Sequence, residues 1–190
     1  MHLTKIEIEQ FYRLWYSLVW EINERHKVIP HFERPFYGTR VAVSQQDFMM
    51  IRDKMWENPK WIDEFLKLND NGEFTEKERG IILSWRNHYI CDRFVIMRHL
   101  KNYSVFMHIS EKEPIKLYGV VGISDSFKDM CDGFFPIMVE VVLLPFGDKI
   151  IYDSFLVSNH ISFGPGIRET FNTDYKNAKE KFGIITSLGK

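Results

Sequence analysis

Apolar residues in the first half of the chain recur at helical spacing. Thr4 followed by Glu7 makes a capping-box pattern, and Phe11, Leu14, Leu18 and Ile22 then share one face, which predicts a helix ending near Glu24. Ser44 with Asp47 repeats the start signal ahead of Phe48, Ile51 and Met55. Asn58-Pro59 opens another helix with proline in its tolerated first position and Trp61, Ile62, Phe65 and Leu66 as its buried stripe. Asp70-Asn71-Gly72 breaks the pattern, and Thr75 with Glu78 caps a segment through Ile81, Ile82 and Trp85. Arg25 to Arg40, with Pro30, Pro35, His26 and His31, reads as an irregular connector.

From about Tyr89 the period changes to two. Phe94, Ile96 and Leu100, then Tyr103, Val105, Met107 and Ile109, alternate with polar neighbours around a Lys101-Asn102 hairpin connection. Ile115 to Ile123 is a further strand. After a turn at Cys131-Asp132-Gly133, Ile137 to Leu144 is a nearly unbroken apolar run, as in a strand buried on both faces. Pro145-Phe146-Gly147-Asp148 turns the chain into Ile150 to Val157, and a short strand at His160 to Phe163 precedes Gly164-Pro165-Gly166. A closing helix buries Phe171, Tyr175, Ala178 and Phe182. Helices first and strands afterwards predict an α+β fold: an N-terminal helical layer packed on a C-terminal antiparallel β-sheet, with a closing C-terminal helix. The chain is expected to form a single domain, helical over about 1–87, β-rich over about 89–164 and helical again over about 166–182.

Composition narrows the function classes. The 190 residues carry 25 Lys+Arg against 26 Asp+Glu, a net charge of -1, so neither a strongly basic nucleic-acid arm nor an acidic tail is present. No apolar run approaches the roughly 18 residues of a membrane span, and Met1 to Gln10 does not read as a signal peptide, so a cytoplasmic protein is expected. Cys91 and Cys131 belong to no CxxC pair and read as reduced thiols, with no metal site and no cofactor expected.

Several positions are candidates for chemistry. With Lys101-Asn102 as a two-residue loop, Val95 faces His108 and His99 faces Ser104, so Arg93, His99, Ser104, His108 and Ser110 share one polar face. His99 and His108 then stand about 13 Å apart, too far for one metal ion. Glu140 interrupts the apolar run and requires a partner if buried. With a Gly147-Asp148 turn, Glu140 faces Phe155 and Asp153 is its diagonal neighbour, so the two carboxylates would converge on a cation, an arginine or a shared proton. The plainer alternative is an ion pair of Glu140 with Arg93, Arg98 or Arg168. Gly164, Gly166 and Arg168 at a helix start would offer an anion backbone N–H groups and a guanidinium, although Pro165 removes a donor and the P-loop ending is missing. Basic residues gather at Arg25, Lys27, Arg34 and Arg40, and again at Arg86, Arg93, Arg98 and Lys101.

Three stretches carry a resemblance: Trp56-Glu57-Asn58-Pro59-Lys60-Trp61-Ile62-Asp63-Glu64-Phe65; Ser84-Trp85-Arg86 with Phe94-Val95-Ile96 and Leu100 to Phe106; and Val139 to Asp153. Together they resemble a group of uncharacterised bacterial proteins, some of which carry a SEC-C type zinc-binding module. The resemblance implies a bacterial intracellular protein and no catalytic assignment. The cysteine-rich module has no counterpart in this sequence, so its zinc is not carried over.

No catalytic constellation emerges. The expected function is a non-enzymatic interaction module that binds a protein or, less favoured, a nucleic acid. The competing class is a hydrolase of an anionic, phosphoester-type substrate using Glu140 and Asp153.

Overall fold

The computed structural model describes residues 1–38, 44–68, 73–110, 113–131, 135–158 and 161–189. The chain forms two compact units, one of residues 4–87 and one of residues 1–3 with 88–190. The Asp70-Asn71-Gly72 break, Arg40, His160 and most of the Cys131-Asp132-Gly133 turn lie outside the described residues.

The first unit is helical: α1 (Lys5–His26), α2 (Gln45–Glu57), α3 (Lys60–Leu68) and α4 (Glu76–His88), whose last residue belongs to the second unit. Its start signals work as their chemistry requires. Thr4 Oγ1 accepts from the Glu7 N–H while Glu7 accepts from the Thr4 N–H at 2.9 Å, and Thr75 and Glu78 repeat the exchange ahead of α4. Ser44 caps α2. The α1 helix outruns its expected end by two residues to His26, where Lys27 adopts a left-handed cap at φ 49°. Asn23 then staples the following chain, its amide donating to the Ile29 carbonyl and its oxygen accepting from the Ile29 N–H. Trp15 packs with its centroid 6.1 Å from both Trp56 and Trp85, so the helical stripes meet around aromatic rings.

The second unit is a five-stranded barrel: β1 (Ile90–His99), β2 (Ser104–His108), β3 (Lys116–Val120), β4 (Ile137–Phe146) and β5 (Lys149–Ser158). The strands close in the order β1-β2-β3-β5-β4. Neighbours are antiparallel except β3 and β5, which meet in parallel at Val120 and Ile150. A one-turn helix, α5 (Phe127–Met130), stands between β3 and β4, capped by Ser126, and α6 (Pro165–Phe182) follows the last strand. Residues 161–163, expected as a short strand, carry none; the Phe163 carbonyl instead accepts from Arg168 at the start of α6.

Alternation assigns the two faces of the barrel wall. Phe94 and Phe106 approach Phe127 and Tyr152 through successive ring contacts, the closest 4.9 Å between Phe106 and Phe127, so Phe127 plugs the interior. The alternate residues Val95, Met97, Val105, Met107 and Leu117 pack outward under Tyr175 and Ala178 of α6. Every residue of β2 is therefore buried, one set by the interior and the other by the helix. The turn at Gly147, φ 61°, joins β4 to β5 where glycine adopts the left-handed region without a Cβ clash.

Candidate functional site

Two irregularities decide where the candidate residues stand. In the first hairpin His99 faces Ser104 as expected, but the register shifts at a bulge between Ile96 and Arg98, so His108 faces Phe94 and not Val95. The extra residue turns His108 into the barrel mouth beside the rings of Phe94 and Tyr118. His99 and His108 thus do not share an exposed polar face with Arg93, which lies on the outer side opposite Glu140.

In the second hairpin the pairing runs true from the turn to Leu143 opposite Tyr152, then resumes with Val141 opposite Leu156. Asp153, Ser154 and Phe155 stand where one residue would, with Ser154 at φ 71°. Glu140 consequently faces Val157 and not Phe155, and Asp153 is no longer its diagonal neighbour. Their surroundings differ as well. Asp153 is fully buried and its Oδ1 accepts from the Phe155 N–H at 3.4 Å, serving the bulge backbone. Glu140 is 52% exposed, and its Oε1 lies 3.3 Å from the Nε of Arg93, itself 68% exposed. The interruption in the apolar run marks an outward-facing position, and of the expected alternatives the ion pair with Arg93 is the one present.

Gly164 and Gly166 begin α6 as expected, without a side-chain cap. Arg168 stands in the first turn of the same helix, its Nε donating to the Phe163 carbonyl at 2.9 Å. Of the basic residues, Arg86 is tied to Asp63 and Arg34 lies 4.5 Å over the Trp20 ring and 3.4 Å from Glu73. Among the described residues no group of three or more His, Cys, Asp and Glu is placed to hold a metal ion.

The histidines are where buried polar chemistry remains. His108, 6% exposed, is bonded through Nε2 to Asp92 Oδ2 at 2.8 Å, and its Nδ1 has no hydrogen-bond partner. Partial burial works against ionisation of Asp92, yet the bond to His108, the Arg93 N–H and the neighbouring charges outweigh it and hold the carboxyl below its ordinary range. His99 bonds through Nδ1 to Ser104 Oγ at 2.6 Å, with the Phe135 ring edge-on and Nε2 unpartnered. Burial first, then the chain's amino terminus and Lys128, push its pKa down against Asp129, which favours the neutral ring. The Asp92 contact escaped sequence reading because it depends on the bulge between Ile96 and Arg98, which sets His108 opposite Phe94 instead of Val95. Comparison with family models, curated proteins and solved structures found no match to the chain.

Proposed function

We propose that this chain is a non-enzymatic interaction module of the cytoplasm whose partner is a protein, in keeping with the bacterial group it resembles. The observation that carries this reading is the parting of Glu140 from Asp153. A hydrolase built on them requires two carboxylates at one reacting centre, whereas one is committed to Arg93 in water and the other to the backbone of a bulge.

The barrel supports a protein partner over a nucleic acid. Five-stranded barrels of the OB type take oligonucleotides on the face of their second and third strands, using stacked aromatics in a cationic groove. On this barrel the outer face of β1, β2 and β3 is built from valine, methionine and leucine and is covered by α6. With α6 and the Tyr103 ring packed over it, this face is not an open groove for stacked bases.

A direct test pairs wild type with Glu140→Gln. The expected result is an unchanged melting temperature and no phosphoester hydrolysis by either protein. Hydrolysis by the wild type that disappears in a stable Glu140→Gln variant would establish the enzyme instead.

A further inference from the structure

We propose that a row of aromatic rings on the helical unit is a docking surface for a proline-rich segment of a protein partner that carries basic residues beside its prolines. The inference rests on the binding reading above and names the surface and the chemistry of what it holds. Tyr12, Tyr16 and Trp20 recur every four residues along α1 and so stand in line on one side of it. None of the three is among the buried residues of that helix. The connector after α1 adds two more rings, Phe36 at 53% and Tyr37 at 44% exposure. Tyr37 stacks on Tyr12 at 5.2 Å with the planes 8° apart, and Arg34 lies 4.5 Å over Trp20 and 5.5 Å from the ring of Phe36.

These rings are held in place before anything binds. Tyr16 packs against Tyr12 at 5.1 Å and edge-on against the buried Phe48 at 5.7 Å, so docking on the row costs little side-chain ordering. Tyrosine and tryptophan are the side chains that anchor protein interfaces, each offering a broad apolar face with a polar tip. A polyproline II segment suits such a row: it enters already extended, its flat prolines lie on aromatic faces, and its backbone carbonyls have no internal partners. From Tyr12 to Trp20 the row runs about 12 Å along the helix, the length of about four residues in that conformation.

Charge separates this occupant from a nucleic acid, whose bases also stack on aromatic rows. Among the described residues of 9–38 every arginine and lysine is ion-paired: Arg13 with Glu78, Arg25 with Glu21, Lys27 with Glu24 and Arg34 with Glu73. Glu9, one turn ahead of Tyr12, and Glu33, next to Arg34, are exposed and have no such pair. The uncommitted charge beside the row is therefore negative. It repels a phosphate backbone and attracts lysine or arginine flanking the prolines.

The probe is a fluorescent oligoproline peptide ending in an arginine pair, titrated into the chain. Saturable binding is expected, weakened about tenfold by Tyr37→Ala and likewise by Phe36→Ala. Both rings are exposed, so each variant is expected to keep the wild-type melting temperature. Glu33→Lys is expected to weaken the arginine-bearing peptide and to leave an uncharged oligoproline unaffected. No saturation, binding indifferent to both ring variants, or tighter binding of a labelled oligothymidylate than of the peptide would overturn the proposal. A protein partner that still associates after both rings are truncated would overturn this surface and leave the binding reading standing.

Discussion

Arg93 and Glu140 stand directly opposite each other on β1 and β4, guanidinium to carboxylate, with most of each side chain in water. Exposed pairs of this kind contribute about 0.2–1 kcal/mol and are screened by salt. Glu140→Gln is therefore expected to change unfolding free energy by less than about 1 kcal/mol, and by still less in 1 M salt. Urea denaturation at low and high ionic strength checks both expectations; a loss several times larger would mean that Glu140 is a buried, committed group.

Phe127 fills the barrel from a helix of one turn, touching Phe106 and Tyr152. Truncating a buried phenylalanine removes its transfer free energy and leaves a void, so Phe127→Ala is expected to cost about 3–5 kcal/mol. Denaturant unfolding measures it, and a cost below 1 kcal/mol would show that the interior is filled by other side chains.

Gly119 lies under the Tyr103 ring, whose Cδ2 would come within 2.8 Å of an added Cβ. Gly119→Ala is expected to destabilise by about 1–3 kcal/mol through this overlap. The same change in a Tyr103→Ala background is expected to cost much less, and a double-mutant cycle reads the coupling. Additive costs would show that the ring is not what excludes the methyl group.

Much of the fold is legible in the sequence because its signals are local. The Thr4–Glu7 and Thr75–Glu78 exchanges, the Ser44 cap and the Gly147 turn each depend on residues within four positions of one another. The candidate site is legible only as far as register is. A bulge after Ile96 and three residues opposite Val142 move every side chain beyond them, and neither carries a glycine to announce itself. The sequence pattern thus places Glu140 and Asp153 on one strand pair, while the extra residues of β5 keep them from being neighbours. The parallel contact of β3 with β5, which closes the barrel, joins residues thirty positions apart and leaves no local pattern.

Asp92 makes stability depend on acid. Its folded pKa lies below the ordinary 3.8, so its contribution is fully present above that value and is lost as pH falls through the folded one. Asp92→Asn is expected to flatten the decline of stability below about pH 4. Parallel acid titrations of unfolding free energy for the two proteins would refute the Asp92–His108 bond as the cause.

The proposed function is the holding of a protein partner. Isolating the tagged chain from its cells under mild conditions, and recording the mass and the 260/280 nm absorbance ratio of the purified complex, is the deciding measurement. The expected result is a stoichiometric protein partner, nucleic-acid-free absorbance, and crosslinks from that partner to the chain. A chain that emerges carrying nucleic acid in place of a protein would contradict it.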